Sequence, residues 1–236
     1  MPNTNDNIAN ANISEQDALG ETGAPQVQPA LAQFEVGSYV TFGRYPQNNG
    51  DTPEPIEWLV LDKDEISALL LAKYGLDCQP YHHKLAEVSW EDCDLRKWLN
   101  SDFLHKAFTD EEISRIEDCK MWTGDWCSTG ICFNDWEENK RFTSDKVFCL
   151  SVREADRNFN RKYFLFDQDR LCRPTAYAVS RGAYRHDYNG CCRYWLRNPV
   201  DGIRNAARVN AVGHICFKHW LSSMMAVRSA LRVKLQ

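Results

Sequence analysis

The chain lacks a hydrophobic run long enough to cross a membrane, and it is poor in the residues that mark fibrous proteins. No stretch of about 18 consecutive apolar residues occurs, so no membrane-spanning helix is expected. Only 12 Gly and 9 Pro are present in 236 residues, too few for a collagen-like or low-complexity protein. Hydrophobic residues make up 43% of the chain, which is enough to build the core of one domain.

The common catalytic and phosphate-binding motifs are missing as well. GxGxxG, GxxxxGK[ST] and GxSxG are all absent, so there is no sign of a dinucleotide loop, a P-loop or a hydrolase elbow. No CxxC pair occurs, and the spacing of Cys119, Cys127 and Cys132 is loose for a structural zinc site. We therefore predict a protein that is not an enzyme and that holds no cofactor and no metal.

The beginning of the chain bears on its ten cysteines. It has neither a positively charged segment nor an apolar one, so we expect no secretory signal peptide and predict synthesis in the cytoplasm. Thiols stay reduced there, which favours buried free cysteines that act as small hydrophobic residues. The final location is left open, a virion or a cell surface included.

Acidic residues are scarce in the last third of the chain. Residues 157–236 contain 12 Arg and 3 Lys, but only 4 Asp and no Glu. Such asymmetry can indicate an anionic partner. The arginines are dispersed among aromatic residues and form no basic runs, so a nucleic-acid partner is not expected and the charges are interpreted as parts of one fold.

The pattern of apolar residues predicts a tail followed by a domain that starts with strands. Residues 1–34 are polar and have few large apolar groups, which predicts a flexible tail. The alternation over Phe34–Phe42 predicts a first strand. Ile56–Leu61 and Ser67–Ala72 are short apolar runs joined by a polar turn, which predicts a hairpin covered on both faces.

Helix starts are marked by three capping-box sequences. Ser89–Asp92, Thr109–Glu112 and Ser151–Glu154 each place a hydroxyl three residues before a carboxylate. Pro174–Ser180 predicts another helix, with proline in its first turn and a glycine shortly after its end. Residues 119–146 are rich in Trp and polar residues and predict an irregular insertion.

The C-terminal segment has a different character from the rest. Tyr194–Pro199 (YWLRNP) and Ala226–Val233 (AVRSALRV) are apolar or stiff, as core strands are. The residues between them follow neither a period of 2 nor one of 3.6, which is unusual for an element that packs. They include Trp, Phe, Met and Arg, residue types suited to binding hot spots. We therefore predict a surface that presents side chains to a ligand.

This ending resembles that of a bacterial and phage family, a domain of unknown function. WLRNP…NAARVN…G…AVRSAL in this chain is similar to WLRSP…NAAYVN…G…GVRPAL in the family. The resemblance covers roughly Glu35 to Val233 and includes upstream motifs in the same order, namely Val40–Pro46 (VTFGRYP), Pro55–Leu61 (PIEWLVL), Leu70–Gly75 (LLAKYG), Leu95–Asn100 (LRKWLN) and Pro174–Tyr177 (PTAY).

The resemblance implies an α+β fold of the C-type-lectin-like class in its formylglycine-generating-enzyme variant, with an irregular insertion. Some members are variable proteins of diversity-generating retroelements, in which an error-prone reverse transcriptase rewrites template adenines near the C-terminus. An invariant frame then supports side chains that differ between sister genes and bind ligands. The implied domain spans residues 35–236, with a variable region at about 194–225.

Carried over by position, the resemblance divides the C-terminal segment into two sets. The implied frame consists of Trp195, Leu196, Arg197, Pro199, Ala206, Ala207, Val209, Gly213, Ile215, Leu221, Val227, Arg228, Ala230 and Leu231. The implied ligand-facing set consists of Tyr194, Asn198, Asp201, Ile203, Arg204, Arg208, Asn210, His214, Phe217, Lys218, His219, Trp220, Ser222, Ser223 and Met224.

The predicted function is ligand binding without catalysis, by the variable protein of a diversity-generating retroelement. The partner is an unidentified protein or other macromolecule, and the oligomeric state is open. One alternative is a structural or accessory phage or surface module without diversification. A second alternative is a cysteine-dependent oxidase related to formylglycine-generating enzymes, for which Cys191, Cys192 and Cys216 are the candidate thiols.

Overall fold

A computed structural model describes residues 34–122, 142–159, 167–200, 204–217 and 219–235. These residues all fall within one compact unit, Leu31–Gln236. The predicted flexible tail lies outside the described residues except for Phe34, whose side chain is buried in the core.

The described residues form helices and strands, and most of the regular structure is in sheets. The strands are β1 (Tyr39–Pro46), β2 (Pro53–Lys63), β3 (Ser67–Ala72), β4 (Asp77–Gln79), β5 (Cys119–Trp122), β6 (Phe142–Asp145), β7 (Val147–Phe148), β8 (Tyr194–Val200), β9 (Asn205–Val209), β10 (Ile215–Cys216), β11 (Met225–Val227) and β12 (Ala230–Lys234). The helices are α1 (Asp94–Trp98), α2 (Leu104–Ala107), α3 (Asp110–Arg115), α4 (Val152–Phe159) and α5 (Ala176–Ser180), with a π-helical turn at Leu99–Phe103 and a 3₁₀ turn at Asp167–Arg170. The finer C-type-lectin-like architecture stays a prediction.

The first sheet has the strand order β1-β2-β3-β12-β7, and its neighbouring strands are all antiparallel. The pairing of Leu59 with Leu71 between β2 and β3 confirms the predicted hairpin. Strand β12, near the end of the chain, lies inside this sheet beside β3. The alternation that predicted a first strand from Phe34 is paired only from Tyr39 onward.

The second sheet has the order β10-β9-β8-β11-β4 and carries the C-terminal segment. Strand β8 is its centre, antiparallel to β9 and parallel to β11. Every residue of β8 is buried, as the apolar character of this segment predicts. The strand therefore forms a fixed base for the segments that follow it.

Large aromatic residues fill the core, and each buried indole finds a hydrogen-bond acceptor. Trp58 donates to the carbonyl of Phe42 at 2.7 Å, and Trp90 donates to the Asp145 carboxylate at 2.8 Å. Trp195 donates to the carbonyl of Gln79 on β4 at 3.0 Å. Since a buried indole N–H without an acceptor would be costly, these bonds orient the rings as well as satisfying them.

The structure confirms two of the three predicted capping boxes. Thr109 caps α3 reciprocally with Glu112, and Ser151 exchanges the same two bonds with Glu154 at the start of α4. The third prediction was wrong, because α1 begins at Asp94 with Cys93 as its N-cap. The Ser89 hydroxyl instead hydrogen-bonds the Asp92 carboxylate, within the turn that precedes the helix.

The ends of the segment predicted as an irregular insertion are paired strands. β5 and β6 form an antiparallel hairpin in which Met121 lies opposite Thr143. Cys127 and Cys132 lie outside the described residues. The helix predicted from Pro174 begins two residues later, at Ala176, because Thr175 is the N-cap of α5 and Pro174 precedes it. Gly182, with φ +103°, follows the C-cap of this helix as expected.

Candidate binding surface

The predicted recognition segment folds into a hairpin along the edge of the second sheet. Strand β9 runs outward, and the chain returns beside it, pairing Cys216 with Arg208 through β10. Farther along, the Ala206 amide donates to the carbonyl of His219 at 3.0 Å. The Leu221 amide donates to the carbonyl of Arg204 at 3.1 Å. The returning strand is thus held by backbone hydrogen bonds at both ends.

Asn210 builds the turn of this hairpin. Its side-chain oxygen accepts from the amides of Val212 at 3.0 Å and His214 at 2.9 Å. Gly213 follows at φ +89°, a conformation that glycine adopts at little cost. Asn210 was predicted to face a ligand, but its carboxamide oxygen is used to shape the turn.

Burial separates the implied frame from most of the implied ligand-facing set. Frame residues are buried throughout, with the exception of the partly buried Ile215. Trp195, Leu196, Ala206 and Val209 have no exposed surface. The frame thus behaves as core, which is the property that the resemblance requires of it.

The remaining side chains of the hairpin form what we call the C-terminal surface. Trp220 is 61% exposed and Met224 47% exposed, unusually high fractions for large apolar side chains. Phe217 is partly buried and packs against the edge of the core. The C-terminal surface consists of Arg204, His214, Trp220, Ser222 and Met224, which are exposed, and Arg208, Phe217, His219 and Ser223, which are partly buried. Asp201, Ile203 and Lys218 lie outside the described residues.

Two residues of the predicted ligand-facing set are buried, and the prediction is corrected for both. The Tyr194 hydroxyl donates to the carbonyl of Arg170 at 2.9 Å, and burial raises its pKa to about 12. The Asn198 side-chain oxygen accepts from the amide of Val152 at 2.7 Å. Both belong to β8, which is covered on both faces, so their polar groups serve neighbouring backbone groups rather than a ligand.

Arg208 lies at the middle of the C-terminal surface with two unsatisfied donors. It stands between Trp195 on β8 and Cys216 on β10, so the three side chains share one face of the sheet. Its Nε and Nη1 atoms are buried and have no hydrogen-bond partner among the described residues. Burial lowers the pKa of the Arg208 guanidinium, the Coulombic influence of Cys216 partly opposes this, and the charge of Arg193 adds a smaller lowering.

His219 is the neutral neighbour of this arginine. Its ring lies against Trp195, with 5.9 Å between the ring centroids. Burial, followed by the charges of Arg208 and Arg193, lowers the pKa of His219 to about 4. The imidazole is therefore uncharged at neutral pH and can donate or accept one hydrogen bond at each nitrogen according to its tautomer.

Replacing Arg208 by glutamine is expected to raise the pKa of His219 from about 4 toward its ordinary value of 6.5, because one of the charges that disfavours the imidazolium is removed. A proton NMR titration of the imidazole measures both values. Because the pKa of His219 is lower in the folded state than in the unfolded state, its contribution makes the free energy of unfolding decrease as the pH falls from 6.5 to 4. Arg44→Gln, in the first sheet, should leave the titration unchanged, and an unchanged pKa in Arg208→Gln would contradict the assignment.

Sequence reasoning missed Arg193 and Val212. Arg193 precedes Trp195 by two residues, and strand alternation could have placed it on the same face. Val212 is 47% exposed at the tip of the turn, beside residues already in the predicted set.

The candidate thiols of the oxidase alternative are placed in the interior. Cys191 and Cys192 are buried, and the thiol of Cys192 is in hydrogen-bond contact with that of Cys172. This contact and the charge of the buried Arg228 lower the pKa of Cys172 against the effect of burial, while that of Cys192 is raised. Cys216 is partly buried on β10. In the part of the chain that is described, no three His, Cys, Asp or Glu side chains gather as a metal site would need.

Comparison with known proteins gives one match. A family model described as "Domain of unknown function (DUF6273)" matches residues 65–235, which include all of the C-terminal surface. No curated protein and no solved structure matches the chain. Within the described ranges, none of the helices is both long and apolar enough to span a membrane.

Proposed function

Since the chain belongs to the family described as a domain of unknown function (DUF6273), we propose that it binds another protein through the C-terminal surface and that it is not an enzyme. One observation carries this proposal. Large side chains such as Trp220 and Met224 are exposed on a hairpin whose alternate residues, among them Leu221, are part of the core. Exposed Trp, Met and Arg are the residue types that dominate protein-binding hot spots.

The backbone beneath the C-terminal surface supports this function because hydrogen bonds within the domain hold its described part in place. The hairpin is tied to β8 through the pairing of Trp195 with Arg208. Its return strand is tied to β9, and Asn210 closes its turn. Ordering a loop on binding subtracts from affinity, and a hairpin held in this way avoids that cost.

We further propose that the domain is C-type-lectin-like and that the C-terminal surface is diversified by a retroelement. The division of one segment into buried frame and exposed positions is what such diversification needs, since exposed changes leave folding intact. Sequencing the gene locus in several isolates tests this. A reverse-transcriptase gene and a near-identical template repeat should lie beside the gene, with differences between sister copies confined to exposed codons. Identical copies without a template repeat would contradict diversification and favour a structural module.

A library tests the binding function directly. The five exposed positions of the C-terminal surface would be randomised in the full chain and displayed on yeast: Arg204, His214, Trp220, Ser222 and Met224. Because exposed substitutions change stability by about 0.5 kcal/mol or less each, most clones should unfold cooperatively with a Tm within roughly 10 °C of the parent. Selection against purified proteins of known structure should then yield clones specific for single targets.

The control library randomises five frame positions, including Trp195, Leu196 and Leu221. Most of its clones should fail to fold, because these side chains are fully buried. If the two libraries lost folded clones equally often, or if no specific binder emerged from the surface library, the proposed function would be wrong.

A further inference from the structure

The unsatisfied donors of Arg208 point to the chemistry of the ligand. A buried N–H group without a partner is costly, and native proteins leave very few of them. Arg208 has two, and both belong to a group that carries a full positive charge. The charge of Arg193 adds to the positive potential at this position. A single anionic group placed against Arg208 would satisfy the donors and the charge together.

The other buried arginines nearby use their charged groups to hold the fold together. Arg197 holds the Glu154 carboxylate and the carbonyl of Cys149. Arg170 donates from Nε to the carbonyl of Gly213 at 2.7 Å. Arg228 donates from Nε to the carbonyl of Ala72 at 2.9 Å. Arg208 differs from them by its position on the C-terminal surface and by two unpaired nitrogens, whereas Arg197 has one, Nε, and already pairs its charge with Glu154.

We propose that Arg208, assisted by Arg193, recognises a carboxylate of the protein ligand on the C-terminal surface, an Asp or Glu side chain or a C-terminal carboxylate. This inference rests on the proposed function, because it specifies the ligand of the same surface. The guanidinium offers N–H donors in a plane, and charge-assisted bonds from arginine to carboxylate are among the strong ones in proteins. The partial burial of the site removes competing water and strengthens the pairing.

The neighbouring residues favour a carboxylate of a protein over the phosphates of a nucleic acid. Nucleic-acid binding draws on several phosphate contacts along a track of basic groups. Here both unpaired buried donors belong to the single side chain of Arg208, and the exposed side chains of the hairpin and its return include the apolar Trp220, Met224 and Val212. An arginine contact surrounded by apolar side chains is typical of a protein–protein interface.

His219 can add a hydrogen bond to those made by Arg208. As an uncharged ring against Trp195, it offers a hydrogen bond without a second positive charge. A carboxylate held by Arg208 can therefore accept a second hydrogen bond from the neutral imidazole.

The test titrates the full-length, isotope-labelled protein with sodium acetate and separately with inorganic phosphate, at constant ionic strength, while NMR follows the arginine Nε–H and histidine signals. Acetate is expected to shift the signals of Arg208 and His219 saturably. Arg208→Gln should weaken acetate binding at least 10-fold, and Arg193→Gln should weaken it 3-fold or more. Arg44→Gln, a charge-matched change on β1, should leave it unaltered.

Two further arms identify the source of the anion. A hexaglutamate peptide should bind more tightly than acetate and depend on Arg208, whereas a single-stranded hexathymidylate should bind no better than inorganic phosphate. Tighter binding of the hexathymidylate would overturn the inference in favour of a nucleic acid. Equal, unsaturated shifts at all arginines would also overturn it. So would wild-type acetate binding by Arg208→Gln, or by Arg208→Lys if the glutamine variant does not fold.

The outcome can be separated from that of the proposed function. If the library yields specific binders but acetate finds no site at Arg208, carboxylate recognition fails and protein binding stands. If acetate binds at Arg208 but the surface library gives no specific binder, the anion site stands without the proposed function.

Discussion

Trp195→Ala is expected to lower the free energy of unfolding by about 3–5 kcal/mol, which corresponds to a fall in Tm of roughly 10–15 °C. The indole has no exposed surface, packs edge-on against Tyr81 with 5.7 Å between ring centroids, and donates to the carbonyl of Gln79. Its removal leaves a cavity in the middle of the second sheet and an unsatisfied carbonyl. Urea unfolding of the purified variant measures the loss.

Trp220→Ala is the matched control for this prediction. The same residue type is 61% exposed there, so the change in unfolding free energy should stay within about 0.5 kcal/mol. Under the proposed function, Trp220 contacts the ligand. Trp220→Ala should therefore weaken binding more than Trp195→Ala does, the reverse of their order in stability. Equal destabilisation by both substitutions would mean that the C-terminal surface is part of the core.

Glu154→Gln is expected to lower the free energy of unfolding by about 2–3 kcal/mol at pH 7. The Glu154 carboxylate accepts hydrogen bonds from both terminal nitrogens of Arg197, the one from Nη2 at 2.8 Å. Arg197 is buried on β8. Without the carboxylate, the guanidinium stays buried with its charge uncompensated. The pair also joins α4 to the strand beneath the C-terminal surface, so its loss should loosen that base.

The effect of Glu154→Gln should depend on pH in a defined direction. Burial alone would raise the pKa of Glu154, but the charge and hydrogen bonds of Arg197 and the bonds from Ser151 outweigh it, and the pKa is lowered from its ordinary value of 4.5. The stabilisation is therefore complete above pH 4.5 and is lost as the pH falls through the lowered pKa. The difference between wild type and variant should shrink in urea unfolding at about pH 3 relative to pH 7.

Glu112→Gln provides the matched control for the helix cap. Glu112 occupies the same position in the capping box of α3 as Glu154 does in that of α4, and its contacts with Thr109 are solvent-exposed. The other Glu112 oxygen accepts from the Gly43 amide at 3.2 Å, a bond that glutamine loses while it closes the same box, so this change should cost about 1 kcal/mol. A similar loss from both substitutions would assign the effect of Glu154 to capping rather than to the ion pair.

Local features were predictable because they depend on residues close together in the chain. The hairpin of β2 and β3 follows from two apolar runs around a polar turn, and the cap at Thr109 follows from a hydroxyl three residues before a carboxylate. Cys93 escaped prediction as a cap because its thiol is a weak acceptor and the sequence offered a stronger one at Ser89. In the structure, the Ser89 hydroxyl instead donates to the Asp92 carboxylate and caps no helix.

The candidate site was predictable as a segment but not as a geometry. The mixed pattern between Tyr194 and Ala226 marked the hairpin that carries the exposed residues. It could not show that Tyr194 and Asn198 turn inward, because their partners Arg170 and Val152 are 24 and 46 residues away in the chain. Burial of a polar side chain depends on whether such a distant partner is present.

The sequence by itself determined the alternation of apolar and polar residues, and with it the strands, the caps and the segment left outside the core. Only the tertiary structure decided where the charges act. It aligned β9 with β8 and β10, and so brought Arg208 beside Trp195, Arg193 and His219 with its donors unsatisfied. The physical reason is that periodicity shows which face of a strand is buried. The electrostatic potential at a side chain depends instead on charges from strands that meet only after the chain has folded.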